Sequence, residues 1–277
     1  MTLTLQYNRR TEIPLEVEGI TPDTTRSLSL DAICRMRVYE GNRTAELGEF
    51  FDVSGDPSDG HIVWEGDLRG VHWIGAGMTC GRVDVQGPAG RHVGSQMRGG
   101  EIWVHGDAGD WAGAEMHGGL LAIRGNAGHL VGAAYRGSAR GMTRGTLLVW
   151  GQAGNEIGHS LRRGLIVIGG DAGDLIGFRL LAGTILVFGN SGIRHGAGMR
   201  RGTIGLLGPS PPALLPTFRK ACIYRPLVID LFLRKLAAWK FPVPEELFRC
   251  DIVLYRGDLL EGGRGEIWAR FSGSAAP

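Results

Sequence analysis

Short apolar pairs spaced two residues apart recur through the middle of the chain about every nineteen residues. In EIWVHGDAGDWAGAEMHGG (101–119) the pair is Ile102 and Val104. The same frame precedes it as RVDVQGPAGRHVGSQMRGG (82–100). It follows as LLAIRGNAGHLVGAAYRGSARGMTRG (120–145), TLLVWGQAGNEIGHSLRRG (146–164), LIVIGGDAGDLIGFRLLAG (165–183) and TILVFGNSGIRHGAGMRRG (184–202). TIGLLGPSPP, from Thr203, begins another copy and breaks off, and HIVWEGDLRGVHWIGAGMTCG (61–81) is an earlier copy with two one-residue insertions. In register, the second position reads Val83, Ile102, Leu121, Leu147, Ile166, Ile185, Ile204, and the fourth Val85, Val104, Ile123, Val149, Ile168, Val187, Leu206. Alternating branched aliphatics predict a short strand with one buried face. A fixed period predicts that each copy stacks on its neighbours.

Between the strands the frame is glycine, at the sixth, ninth, thirteenth and nineteenth positions, as in Gly106, Gly109, Gly113 and Gly119. Glycine permits positive φ at corners and close backbone approach. Small residues at the eighth position (Ala89, Ala108, Ala127, Ala153, Ala172, Ser191) and Met97, Met116, Met142, Leu161, Leu180 and Met199 at the sixteenth would fill the inside. The expected fold class is an all-β solenoid, a parallel β-helix whose strands stack about 4.8 Å apart into a column roughly 34 Å long. A left-handed hexapeptide helix would repeat in multiples of six, so a right-handed coil is expected. A phosphate-binding glycine loop is the rival reading, but such loops occur once, between one strand and one helix. A calcium-binding roll does not fit either. Asp107 and Asp171 hold the seventh position, but Pro88, Asn126, Gln152 and Asn190 hold it elsewhere; these residues read as turn caps.

Three regions follow. Residues 1–60, with strand-like LTLQY, IPLEVEGI and EFFDVSG and a possible helix near SLDAICRMRV, are expected to lead in and cap the open end. Residues 61–208 form the repeat region, with an insertion at YRGSARG (135–141) projecting from one corner. Pro209, Pro211, Pro212 and Pro216 stop the repeat, and residues 209–277 form an extension, helical over 217–247 and strand-like over 253–271. On the outward face, the third and fifth positions turn from polar or mixed (Asp84, Gln86, Trp103, His105, Arg124) to apolar (Leu148, Trp150, Val167, Leu186, Phe188, Leu207). The later wall is therefore covered, either by the helix near 226–239 or by another subunit. Leu148, Trp150, Val167, Leu186 and Phe188 are the candidate apolar interface.

Composition adds limits. A net charge of +2 on 277 residues demands no polyanionic partner, and no apolar run approaches the length of a membrane span. The N-terminus lacks the apolar core of a secretory signal. Four scattered cysteines read as reduced cytosolic thiols, so a cytoplasmic location is expected. The eight histidines occupy different repeat positions, no metal-ligand spacing occurs, and GHSLRRG lacks the frame of a nucleophile elbow. The carboxylate pairs Asp107/Asp110 and Asp171/Asp174 share the turn frame, which favours a structural role. No catalytic or metal-binding residue is therefore predicted. Arginine stands out: Arg98, Arg144, Arg162, Arg163, Arg200 and Arg201 crowd the seventeenth and eighteenth positions, with Arg136 and Arg140 in the insertion. Stacking sets them into a ridge of like charges that repel unless answered. The answer is local carboxylates and solvent, or an acidic partner: the face of a neighbouring protein or a polyanionic ligand. Nucleic acid fits poorly, because no aromatic platform interleaves the arginines.

The G-x-x-G-x-x-x-G frame of GDAGDWAG (106–113) and GDAGDLIG (170–177) resembles the repeat domain shared by the C-terminal part of the glutamate synthase large chain and the C subunit of formylmethanofuran dehydrogenase. AELGEFFDV (45–53), LLPTFRKACIYRPLVIDLFLRKL (214–236), FPVPEEL (241–247) and GRGEIW (263–268) make nearly the whole chain similar to the bacterial version of the latter. That resemblance implies a non-catalytic subunit of a formyltransferase/hydrolase complex of one-carbon metabolism in methylotrophs. Its implied partners are the metal-dependent, hydrolase-like A subunit, the B subunit and the formyltransferase subunit of the same complex. In such a complex the formyl group passes from tetrahydromethanopterin to a methanofuran-type carrier and leaves as formate, with the metal in a partner subunit. Archaeal relatives run a redox reaction with molybdenum or tungsten. The resemblance also implies a glutamate-rich carrier tail, for which the arginine ridge is the candidate contact. A glutamate-synthase-type domain serving an amidotransferase or synthase partner is the alternative, which the 214–268 tail disfavours. An independent β-helix enzyme acting on polysaccharide would need an acidic groove where arginines stand.

Overall fold

In the computed structural model, which describes residues 2–9 and 11–271, strand is the dominant element. The chain begins with β1 (Leu3–Tyr7), β2 (Leu15–Glu16), the short helices α1 (Pro22–Thr25) and α2 (Leu30–Cys34), β3 (Arg37–Glu40), β4 (Arg43–Glu46) and β5 (Phe51–Ser54). The repeats contribute β6 (His61–Glu65), β7 (Val71–His72), β8 (Arg82–Val85), β9 (Glu101–Val104), β10 (Leu120–Ile123), β11 (Thr146–Val149), β12 (Leu165–Ile168), β13 (Thr184–Val187) and β14 (Gly202–Leu206). Then come β15 (Arg219–Tyr224), α3 (Leu227–Ala238), β16 (Ile252–Gly257) and β17 (Gly265–Arg270). The last six residues of the expected 209–277 extension lie outside the described residues.

One mixed sheet of 13 strands runs in the order β15-β16-β17-β14-β13-β12-β11-β10-β9-β8-β6-β1-β5, and β4-β3-β2-β7 form a second sheet. From β8 to β14 the strands are parallel and in register, Val83 beside Ile102 beside Leu121 and onward to Ile204. A second parallel ladder joins the eighth positions, Ala89–Ala108–Ala127–Ala153–Ala172–Ser191. Hydrogen bonds between copies continue around the corners, for example Trp111 N–H to the His129 carbonyl (2.9 Å) and His117 N–H to the Met97 carbonyl (2.7 Å). Backbone groups are thus paired copy to copy around the repeat, which is why these short strands persist.

The four glycine positions do two different jobs. At the thirteenth and nineteenth, φ is positive, as at Gly113 (φ 62°) and Gly119 (φ 82°). At the sixth and ninth it is not; there the backbone of the neighbouring copy lies too close for a Cβ. A Cβ built on Gly106 would meet Gly87 C and Pro88 N at 2.6 Å. The turn capping expected of the seventh and tenth positions takes a specific form, since each side chain caps the next copy. Asp107 Oδ1 accepts from Asn126 N–H (2.6 Å), Asp110 Oδ1 from His129 N–H (2.8 Å), His129 Nδ1 from Asn155 N–H (2.9 Å) and Asp174 Oδ1 from Ile193 N–H (2.9 Å).

Three expectations need correction. The prolines at 209–216 interrupt the chain but not the stack, for β17 returns to lie parallel beside β14. The helix expected over 217–247 is confined to Leu227–Ala238. Residues 219–224 instead form β15, paired antiparallel with β16, and Pro226 caps the helix. The possible helix at SLDAICRMRV is the single turn of α2, capped by Ser29 Oγ accepting from Ala32 N–H; Arg37 onward is strand.

Two apolar clusters hold the molecule. The larger fills the inside of the stack with the second- and fourth-position aliphatics, the alanine ladder and Met97, Met116, Met142 and Met199. The smaller lies outside it: Ile229, Leu233 and Leu236 of α3, with Phe241 and Leu247, cover Leu148, Val167, Leu186, Phe188 and Leu207.

Candidate functional site

That second cluster removes four of the candidate apolar interface residues from consideration as a contact with another protein. Leu148, Val167 and Leu186 are fully buried and Phe188 is nearly so, all beneath α3. Burial of this aliphatic face by the chain's own helix already satisfies the drive to remove it from water. Trp150 stands at the rim, half-buried, with its ring on Phe241 (centroids 4.7 Å apart) and its Nε1–H donating to the Lys240 carbonyl (3.3 Å).

Of the arginines, Arg140, Arg162, Arg200 and Arg201 come together around one concavity of about 420 Å³. Arg98, Arg136, Arg144 and Arg163 do not line it. Arg179, which the repeat frame alone did not single out, completes the site to five guanidiniums, with Ala139 and Leu181 between them. Arg179 sits at the fifteenth position with φ 52°, a corner conformation, and lines the concavity with the seventeenth-position Arg162 and Arg200. No carboxylate lines the concavity. The one ion pair given to any of these arginines among the described residues is Arg200 Nε to Glu261 at 3.5 Å, on the surface. Five like charges answered by one surface acid make a field that favours an anionic ligand or protein face.

The insertion that carries Arg140 is pinned at both ends. Tyr135 N–H donates to Glu115 Oε1 (3.1 Å) and Gly141 N–H to the Ser160 carbonyl (2.9 Å). The Tyr135 hydroxyl donates to Ser95 Oγ (2.9 Å), which donates to the Trp111 carbonyl (3.2 Å); Tyr135 Oη is then the acceptor for His92 Nδ1 (2.9 Å). The rings form a stack, Trp73 on His92 at 4.2 Å and Trp111 on Tyr135 at 5.0 Å. Burial, with His72 and Arg91 nearby, pushes His92 down to about 4, and burial pushes Tyr135 up to about 12. Both are neutral near pH 7, so the stack serves as an apolar clamp that fixes the root of the insertion.

A second polar cluster lies on the outer wall where α3 does not reach. Asp84, 4% exposed, accepts from Arg82 Nε (2.5 Å) and Nη2 (2.9 Å) and pairs with His61 Nε2 (2.7 Å) and His105 Nε2 (3.1 Å). Arg82 and Arg124 lie over the Trp103 ring, and Arg124 also over Trp150 at 4.1 Å. Burial opposes ionisation of Asp84, but the hydrogen bonds from Arg82, His105 and His61 overcome it and hold the carboxyl at about 2. A depressed carboxyl stabilises the fold above its unfolded value near 4, and that contribution is lost as pH falls toward 2. The loss is on the order of 2 kcal/mol. Asp84→Asn should therefore show a smaller drop in urea midpoint between pH 5 and pH 2 than the wild type. Equal drops would remove Asp84 from the acid response.

Among the described residues no group of three or more His, Cys, Asp or Glu side chains is arranged to hold a metal ion, and no helix is long and apolar enough to cross a membrane. No family model matches the chain. Among curated proteins it is similar to the C subunit of the molybdenum-containing formylmethanofuran dehydrogenase 1 of Methanothermobacter thermautotrophicus, 44% identical over 84 residues, or 30% of this chain and 21% of that protein. The C subunit of the tungsten-containing formylmethanofuran dehydrogenase 2 of the same organism is 41% identical over 87 residues, 30% of this chain and 32% of that one. The matches thus span a fifth to a third of these relatives' length. A solved structure extends the likeness to the whole chain. It is a chain in the crystal structure of the formyltransferase/hydrolase complex (FhcABCD) from Methylorubrum extorquens in complex with methylofuran, with TM-score 0.89 and 31% identity over 96% of this chain and 98% of that one. Coverage this complete in both directions, joined to the similarity to C subunits, shows that the chain belongs to the formylmethanofuran dehydrogenase C-subunit family.

Proposed function

We propose that this chain is a non-catalytic structural subunit of a cytoplasmic formyltransferase/hydrolase complex of the formylmethanofuran dehydrogenase type. The carrying observation is the end-to-end similarity to one chain of a complex crystallised with methylofuran. We read the stacked copies, bounded by residues 61 and 208, as a right-handed parallel β-helix. The two parallel ladders nineteen residues apart support that reading. The four free cysteines agree with a reducing compartment. The complex would move a formyl group from tetrahydromethanopterin through a methanofuran-type carrier to formate, with the reacting groups and the metal on its hydrolase-like, B and formyltransferase subunits.

The five-arginine concavity fits the anionic, glutamate-rich tail of such a carrier, because it presents five cations answered by one surface carboxylate, Glu261. This chain would then hold the tail rather than touch the formyl group. An acidic face of a neighbouring subunit is the same chemistry from a second source.

Affinity purification of the tagged chain from its own host is the direct test. A stable assembly with larger chains that releases formate from formylated pterin is expected; a lone, well-folded monomer would overturn the proposal. Within the assembly, changing Arg162, Arg179, Arg200 and Arg201 together to alanine should weaken carrier retention or assembly tenfold or more. Exposed ion pairs contribute ~0.2–1 kcal/mol each, and about 1.4 kcal/mol is a factor of ten. Unchanged retention and unchanged assembly together would rule the concavity out of both roles.

A further inference from the structure

The 13-stranded sheet ends differently on its two sides. On one side the edge strand β5 is four residues long and α2 packs beside it. On the other the edge is β15, six residues, five of them exposed and the last half-buried. It is paired only with β16, so one row of its backbone N–H and C=O groups has no sheet partner. Exposed edges of this kind are templates for another strand.

Side chains alternate along β15: Tyr224 packs with Ile252, Leu254 and Trp268 on the α3 face, so Ile223 faces the opposite side of the sheet. Ile223 on β15 is 41% exposed, and Leu227 and Leu231 on α3 are 91% and 68% exposed. Leu227 and Leu231 stand outside the cluster that Ile229, Leu233 and Leu236 form with the wall. The concavity of about 570 Å³ at the start of α3 is lined by Leu227, Val228 and Phe232 with Thr184, Thr203 and Glu266, so it lies over β13, β14 and β17 rather than at the β15 edge. At the other end of the strand stand Arg219 and Lys220, which have no ion pair among the described residues. Arg256, opposite Arg219, is already paired with Glu266 at 3.1 Å. The irregularity between Lys220 and Cys222 and the two cations guard the edge against indiscriminate pairing. They select instead for a strand that brings acids opposite them.

We infer that the β15 edge takes an extended segment of another protein of the complex. That segment adds as a strand at the β15 edge, sets acidic side chains against Arg219 and Lys220, and seats an apolar one on Ile223. This is recognition by strand addition, in which main-chain bonds give affinity and the flanking side chains give selectivity. The inference rests on the proposal that the chain works inside a complex, and it names where one partner attaches.

Hydrogen–deuterium exchange on residues 219–224, in the isolated chain and in the assembled complex, tests it with the native sequence. Amide exchange there should slow at least tenfold on assembly. In a second arm, Arg219→Glu with Lys220→Glu should leave the urea midpoint of the isolated chain unchanged and lower retention of one partner at least tenfold. An intact complex with unchanged exchange at 219–224 overturns the inference and leaves the complex standing. Protection that appears in the isolated chain together with a doubled mass assigns the edge to a second copy and also overturns it. Failure to find any complex is a different result, and overturns the proposed function with it.

Discussion

Gly106→Ala is expected to destabilise the protein by about 3 kcal/mol or more, although it adds a single methyl group. The backbone at Gly106 is not in the left-handed region, so conformational strain is not the cause. The cause is the neighbouring copy: the new Cβ would sit 2.6 Å from Gly87 C and Pro88 N and 2.8 Å from Gly87 O. Those are main-chain atoms in the ladder, and they cannot turn aside as a side chain can. Gly106 N itself is not free to shift, for its own copy is bonded above and below, Gly109 N–H to the Ala89 carbonyl (3.2 Å) and Gly125 N–H to the Gly106 carbonyl (3.0 Å). Overpacking a rigid site costs about 1–3 kcal/mol and sometimes more, and here the whole displacement falls on backbone hydrogen bonds. Gly70→Ala is the control. That glycine has no positive φ and nothing within 4 Å of a built Cβ, so its change should stay within about 0.5 kcal/mol. Urea midpoints at unchanged slope give the comparison. Equal midpoints for the two variants would show that close approach is not why the sixth position is glycine.

That distinction marks a boundary between what the sequence discloses and what it withholds. The period of nineteen and the alternating aliphatics announce parallel strands in register, and the structure has them. The glycine frame announces corners, but sequence does not separate a glycine needed for φ from one needed for space. Two corner positions adopt positive φ without glycine, at Trp111 and Leu130 in the eleventh and at Glu115 and Ser160 in the fifteenth, and so leave no compositional trace. Arg179 escaped notice for that reason, being a fifteenth-position residue beside a ridge assigned to the seventeenth and eighteenth. The Asp84 cluster escaped for another. His61 and Arg82 hold the first repeat position, Asp84 the third and His105 the fifth, all odd-numbered on or just beyond neighbouring strands, and odd positions share the outward face. Comparing parity rather than position would have brought them together. RKACIYRPLVIDLFLRKL reads as one apolar helical run because strand and helix meet with only Arg225 and Pro226 between them. Pairing with β16, a contact distant in sequence, decides the first part.

Leu233→Ala should cost about 2–5 kcal/mol, whereas Leu231→Ala, two residues earlier on the same helix, should change the stability of the isolated chain by less than about 1 kcal/mol. Leu233 is fully buried with Ile229 and Leu236 against Leu148, Val167 and Leu186, while Leu231 is 68% exposed. A helix of twelve residues does not stand alone in water, so α3 depends on this packing. Phe241, just beyond the helix, continues the cover onto Trp150 and Phe188. Truncating Leu233 leaves a cavity between two rigid surfaces, the strands below and the helix above, that neither can collapse to fill. The effect should therefore fall in the upper part of that range. Amide exchange adds a second readout: α3 and the outer wall of β11–β13 should lose protection together, since each is the other's shield from water. If Leu233→Ala costs no more than Leu231→Ala, α3 is not what holds this wall dry. Leu148, Val167 and Leu186 would then return as the surface on which another protein sits.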